Sequence, residues 1–428
     1  MHRTLTRSVF MLLALALALV VVACGGGAST SAPAAAPTAA PAAKAAPTEA
    51  PKAAAPTEAP KAAAPTEAPK AAATSASGGA AASSGACDVN ARVTGPFPGE
   101  ASALTGAGAT FPAPLYTRWF SDYNKLTNVK VNYQGVGSGA GITQFTENTV
   151  NFGATDAPMT DAQLKTATDK NGAVLHIPTA FGAVVVTYNI PSLTAPLNLS
   201  ADTVGGMMLG TITKWNDPKI AAENPGVALP DADVVTVHRS DGSGTTNAFT
   251  SWLAAANPEW KSKVGAGTTV NWPAGLGAQG NAGVAGEVKN NPNSIGYVEQ
   301  IYAEQNKMPM ANIKNAAGKF IKPSLESVGA AMASSISSIP DDLRFSIINA
   351  SGDASYPIST PTWLLVYQQQ KDAAIATALT RMMWWAITDG EKINPELGYA
   401  PLPEAMRAKV LAKICSVTVN GKPAFPGK

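Results

Sequence analysis

Residues 87–428 predict an α/β architecture in two lobes, each a central sheet flanked by helices. Two observations carry this. Short apolar runs alternate with segments of helical periodicity along this stretch, the pattern of strands covered by helices. Some 340 residues also exceed what one hydrophobic core comfortably holds. In such folds ligands sit at strand C-ends and between lobes.

Taking the elements in order, Val129-Lys130-Val131-Asn132-Tyr133 alternates like a half-buried strand. Just before it, Leu115, Trp119, Tyr123 and Leu126 recur at helical spacing, predicting a helix from about Pro112 to Lys125. Phe181 to Tyr188 is continuous and rich in valine, as a strand buried on both faces must be. Val234–Val237 reads as another strand, followed by a loop and a helix with Ala248, Phe249, Trp252 and Leu253 on one face. Ser294–Val298 and Trp363–Tyr367 complete the set, and the alternation predicts mostly parallel sheets.

The first 86 residues differ in kind. Arg3 and Arg7 precede an apolar run from Val9 to Ala23, about 15 residues against the roughly 20 a membrane span needs. The run stops at Cys24, and Val21-Val22-Ala23-Cys24 resembles a bacterial lipoprotein cleavage box. Residues 1–23 therefore read as a signal peptide and Cys24 as a lipid anchor; the alternative is an ordinary signal peptide with an incidental cysteine. Residues 25–86 contain no Val, Leu, Ile, Met or aromatic residue, and Ala-Pro-Thr-Glu-Ala-Pro-Lys-Ala-Ala occurs three times in register from Ala46. No core forms from this composition, and recurrent proline blocks helix, so 24–86 reads as an anchor cysteine and a disordered tether.

Charge excludes some functions. The chain carries +2, and +3 lies within residues 1–86, so the folded part is −1. No broad positive field is present to hold nucleic acid. Any anion must be held by local, directed donors. Cys87 and Cys415 lie at opposite ends of the folded region; export permits a disulfide, and the reading favours a Cys87–Cys415 bridge over two separately buried thiols. Two cysteines and His2, His176 and His238 have no metal-ligand spacing.

Three glycine-rich turns each open a helix. They are Gly106–Pro112, Gly137–Gly141 and Arg239–Thr245. Helix N-termini present unpaired N–H groups and the positive end of a dipole, which suits anions. In the first, Thr110 is read as the N-cap, with Phe111 N–H beside it. In the second, Ser138 caps or donates. In the third, Arg239 closes a strand, Asp241 pairs with its guanidinium, and Ser243-Gly244-Thr245 opens the helix. The third is not a phosphate-binding P-loop, since no Gly-Lys-Ser/Thr follows at that spacing. A fourth segment, Phe152–Pro158, ends a strand with Asp156. A carboxylate beside an anion makes sense if the anion still carries a proton, as phosphate does near neutrality. Asp156 would accept that proton and reject sulfate, which has none.

Together, in this order, these segments resemble the substrate-binding proteins of the bacterial high-affinity phosphate ABC importer. Leu104–Pro114, Asn132–Gly135 before Ser138, Asn151–Pro158 and Asp241–Thr245 match the family pattern, as do Lys214–Asp217, Ser294–Val298 and Tyr399–Pro403. The likeness runs from about Ala103 to near the C-terminus. It departs in the second turn, where the family often has Ser-Ser-Gly-Gly and this chain has Ser138-Gly139-Ala140-Gly141.

The resemblance implies a two-lobed, type II-like periplasmic-binding-protein fold with phosphate in the interlobe cleft. It implies lobe one at 87–182 and 355–428, and lobe two at 183–354. The ligand contacts it implies are Thr110, Phe111, Ser138, Asp156, Arg239, Ser243, Gly244 and Thr245, with Asp241 orienting Arg239. Its implied partners are inorganic phosphate and ABC permease subunits with a separate ATPase. No cofactor, metal or nucleic acid is implied. The protein is expected to be a monomer, exported, and lipid-anchored to the outer face of the cytoplasmic membrane or periplasmic. An exported phosphohydrolase using the same turns would need a nucleophile–base pair or a metal cluster, and the sequence offers neither.

Overall fold

A computed structural model describes residues 87–193 and 195–427, which lie within one compact unit. The signal, lipid-anchor Cys24 and tether readings lie outside the described residues.

The strands that matter here are β1 (Ala103–Gly108), β2 (Lys130–Gly135), β3 (Phe152–Thr155), β4 (Val174–Asn189), β5 (Val235–Arg239), β6 (Leu276–Ala278), β7 (Ser294–Glu299) and β8 (Ser359–Tyr367). They form one eight-stranded sheet in the order β2-β1-β3-β8-β4-β7-β5-β6. The helices around the site are α1 (Ala113–Thr127), α2 (Ser138–Thr146), α3 (Gly244–Ala256), α4 (Gly280–Asn290) and α5 (Gln300–Gln305); α6 (Ala373–Ile387) and α7 (Glu404–Cys415) follow β8. The fold is mixed α/β, a curled sheet flanked by helices, in two lobes.

The expectation of mostly parallel sheets holds only in part, because β8 runs antiparallel to β3. The pairs β1–β2, β1–β3, β5–β6 and β5–β7 are parallel. At the centre of the sheet, β4 runs antiparallel to both neighbours. β4 is 16 residues long, and every residue between its two ends is buried. Its first part, Val174 to Ala183, pairs with β8; from Val184 to Asn189 it pairs with β7. One continuous strand thus changes partner between Ala183 and Val184.

Helix α1 shows how pattern becomes packing. Leu115, Tyr116, Trp119, Phe120 and Tyr123 are buried, spaced three or four apart on one face. Helix α6 is buried almost all round from Ala376 to Ile387. The segment before β1 is tied to it: Arg381 Nε donates to Glu100 Oε2 at 3.0 Å with both side chains nearly inaccessible, and Trp384 Nε1 donates to Ala91 O at 2.9 Å. The structure joins Cys87 to Cys415 at the end of α7, with Cα atoms 6.0 Å apart. No helix among the described residues is long and apolar enough to cross a membrane.

Candidate functional site

The predicted turns come together. In the first, α1 starts at Ala113 with Pro112 as N-cap and no side-chain cap, which corrects the assignment of Thr110. Pro112 has no N–H, and Ala113 N–H bonds to the Thr110 carbonyl at 3.3 Å, so nothing is left for the Thr110 hydroxyl to cap. That hydroxyl instead accepts from Asn281 N at 3.2 Å and Asn281 Nδ2 at 2.9 Å. Phe111 is fully buried, and among the described residues its N–H makes no hydrogen bond within the protein.

In the second turn Gly137 is the N-cap of α2 and Ser138 its first residue. Gly137 has φ +94°, and a Cβ there would lie 2.2 Å from Asp241 Oδ2, so only glycine allows the two turns to meet. The Ser138 hydroxyl accepts from Gly244 N–H at 3.0 Å, and Asp156 Oδ2 lies 3.5 Å away.

The third turn brings the charge. Arg239 ends β5 and is 3% exposed. Its Nε donates to Asp241 Oδ1 at 2.7 Å and its Nη2 to Asp241 Oδ2, a bidentate pair. Gly280 N–H also donates to Asp241 Oδ1 at 3.0 Å. Burial pushes the Asp241 carboxyl up, but the Arg239 bonds and charge and the Gly280 N–H outweigh it and hold it below the usual range. Arg239 Nη1 lies 3.4 Å from Thr245 Oγ1. Ser243 is the N-cap of α3, its Oγ accepting from Thr246 N–H at 3.1 Å. A Cβ on Gly244 would lie 2.5 Å from Asp156 Cβ, so this glycine sets how closely α3 approaches β3.

Asp156 follows β3 and is 2% exposed. Its Oδ1 accepts from Thr362 Oγ1 at 2.9 Å. Burial pushes the carboxyl up to about 7, against the pull of the Thr362 hydroxyl, the Arg239 charge and Ser138. Asp156 and Arg239 are therefore joined through Ser138, Gly244 and Thr245 in one buried network. A surface hollow of about 770 Å³ lined by Asp202, Lys219, Glu259 and Lys314 shares no residue with the four segments. The convergent, inaccessible donors make the buried network the candidate site, in contrast to that open groove of mixed charge.

Comparison with known proteins shows the family. A PBP superfamily domain matches residues 63–381. A phosphate-binding protein PstS of Xylella fastidiosa is 43% identical over 301 residues, covering 70% of this chain and 81% of that one. Its counterpart in Pasteurella multocida is 41% identical over 315 residues, covering 73% and 90%. The chain belongs to the PstS family of the PBP superfamily. A solved phosphate-binding protein from Stenotrophomonas maltophilia shares the fold, with a TM-score of 0.58 at 20% identity over 76% of this chain and 99% of that one.

Members of this family are substrate-binding proteins and not enzymes, and among the described residues no His/Cys/Asp/Glu cluster could hold a metal ion. Several residues at the site escaped the sequence reading. Asn281, on α4, touches both Thr110 and Thr245. Thr362 on β8 meets Asp156. Tyr302 and Tyr399 donate to the carbonyls of Thr110 and Phe111, each at 2.6 Å, and fix the first turn from behind. Tyr399 Oη also lies 3.0 Å from Glu299 Oε2. Ile301 N–H donates to the same Oε2 at 3.1 Å. Burial, reinforced by the Glu304 and Asp156 charges, pushes the Glu299 carboxyl well above its usual range.

Proposed function

We propose that this protein captures inorganic phosphate outside the cytoplasm and delivers it to the permease of an ABC importer, with ATP hydrolysed by a separate subunit. One observation carries the reading: the Ser138 hydroxyl, the Gly244 amide and the Arg239 guanidinium join a single carboxylate, Asp156, in one buried network, and Asn281 ties Thr110 of the first turn to it. Phosphate is the common oxyanion that needs both, because it accepts many hydrogen bonds and still has a proton to give. The ligand contacts are Thr110, the Phe111 N–H, Ser138, Asp156, Arg239, Ser243, the Gly244 N–H and Thr245, with Asp241 holding Arg239.

Lobe one comprises residues 87–182 and 355–428, and lobe two residues 183–354. The change of partner along β4 between Ala183 and Val184 supports that boundary. Thr110, Ser138 and Asp156 then lie on one lobe, and Arg239 and Ser243–Thr245 on the other. Phosphate bridges them and favours closure, because only the closed form offers both half-sites. Lipid attachment at Cys24 would hold the protein, a monomer, at the outer face of the cytoplasmic membrane. Calorimetric titration with phosphate, arsenate and sulfate tests the reading. Phosphate binds tightly and sulfate weakly; equal affinity for phosphate and sulfate, or none for phosphate, defeats it.

A further inference from the structure

Which way a hydroxyl proton points decides whether a threonine attracts an anion or repels it. A threonine hydroxyl has one proton and two lone pairs. At Thr110 both lone pairs are taken, by Asn281 N–H at 3.2 Å and by Asn281 Nδ2 at 2.9 Å. At Thr245 both are taken too, by the same Nδ2 group at 3.2 Å and by Arg239 Nη1 at 3.4 Å. Neither hydroxyl has a protein acceptor for its proton among the described residues. The amide orientation of Asn281 is set independently, because its Oδ1 accepts from Glu299 N–H at 2.9 Å. Asn281 is itself fully buried and adjoins Gly280, whose N–H holds Asp241.

We infer that Asn281 is a positioning residue that fills the lone pairs of the Thr110 and Thr245 hydroxyls, so that both present only their protons to the bound anion. The inference rests on the phosphate reading above. One side chain thus sets the polarity of a hydroxyl on each lobe. Without it, either hydroxyl can rotate and turn a lone pair toward the ligand, where it repels an oxyanion.

A double-mutant cycle read by phosphate titration tests this. Thr110→Val in the wild-type background removes an aligned donor and lowers affinity on the order of tenfold. In an Asn281→Ala background the hydroxyl is no longer aligned, so the same Thr110→Val change costs about twofold or less. A purely structural role for Asn281 gives additive losses instead, and an unchanged Thr110→Val penalty overturns the inference. Asn281→Ala also leaves Glu299 N–H unmet, so Asn281→Asp serves as the second variant. It is isosteric and keeps an acceptor for that N–H, but it replaces the Nδ2 donor with an acceptor and draws both hydroxyl protons away from the ligand. Its phosphate affinity falls about 100-fold or more with the fold intact by thermal melting; a loss under about threefold overturns the inference. Failure of the wild-type protein to bind phosphate sinks the functional reading, whereas wild-type binding with additive losses sinks this inference alone.

Discussion

Replacing Asp156 by asparagine tests the discrimination between protonated and fully deprotonated oxyanions. The side chain is 2% exposed, and its Oδ1 is occupied by Thr362 at 2.9 Å. Oδ2 has only the Ser138 hydroxyl, at the outer limit of 3.5 Å, and is therefore the atom with acceptor capacity to spare. A phosphate O–H satisfies it. Sulfate sets an acceptor against it, and a buried acceptor left unmet costs about 1–3 kcal/mol, more when charged. That corresponds to roughly 5–150-fold in affinity. In Asp156→Asn an amide donor takes the place of Oδ2. The variant should lose phosphate affinity, gain sulfate affinity, and lower the phosphate-to-sulfate ratio by about tenfold or more at pH 8. The wild type adds a pH signature. With the carboxyl pushed up to about 7, acidification from pH 8 to 6 protonates Asp156 and turns it into a donor, so sulfate affinity rises as pH falls. Calorimetry with both anions at both pH values measures this. An unchanged ratio in the variant, or a pH-independent wild-type affinity for sulfate, refutes the reasoning.

Further outcomes follow from the same geometry. Asp156 holds its proton more tightly folded than at its ordinary value of 3.8, so the ligand-free protein binds more protons than the unfolded chain between pH 4 and 7. Its stability therefore falls as pH rises through that window, and thermal melts should show a flatter profile in Asp156→Asn. Gly244→Ala places a methyl 2.5 Å from Asp156 Cβ, and should weaken phosphate binding by about tenfold or more while the two lobes still fold. Wild-type affinity in that variant would show that α3 and β3 need not approach so closely. Replacing Cys87 and Cys415 by serine opens a loop spanning 328 residues and should cost about 2–5 kcal/mol in urea unfolding, with phosphate affinity unchanged.

Much of the site was legible because its backbone signals are local. A strand, a turn of glycine and a hydroxyl residue, and then a helical apolar pattern are visible in a dozen residues, and the three turns announce themselves this way. Asp156 stood out because a carboxylate among anion-binding turns demands an explanation. Asn281 was missed although Gln279-Gly280-Asn281 follows a short strand and opens α4 in the same manner. Its strand has only three residues, among glycines and alanines that read as loop. Thr362 was out of reach for a different reason: it meets Asp156 across 206 positions, and no local periodicity encodes that contact. The first turn shows a misreading of chemistry. Thr110 fits the N-cap preference, but Pro112 and the Thr110 carbonyl already satisfy the start of α1, leaving the hydroxyl for Asn281. The mixed direction of the sheet also needed the tertiary structure, since the change of partner at Ala183 and Val184 leaves the apolar run of β4 unbroken.

A crystal structure of the phosphate-soaked protein, at a resolution that separates short hydrogen bonds from ordinary ones, tests the central claim most directly. One tetrahedral anion should lie between the lobes, touching Thr110 Oγ1, the Phe111 N–H, Ser138, Arg239 and Thr245, with one oxygen at short hydrogen-bonding distance from Asp156 Oδ2. An anion bound elsewhere, or one at this place with Asp156 turned away from it, contradicts the account.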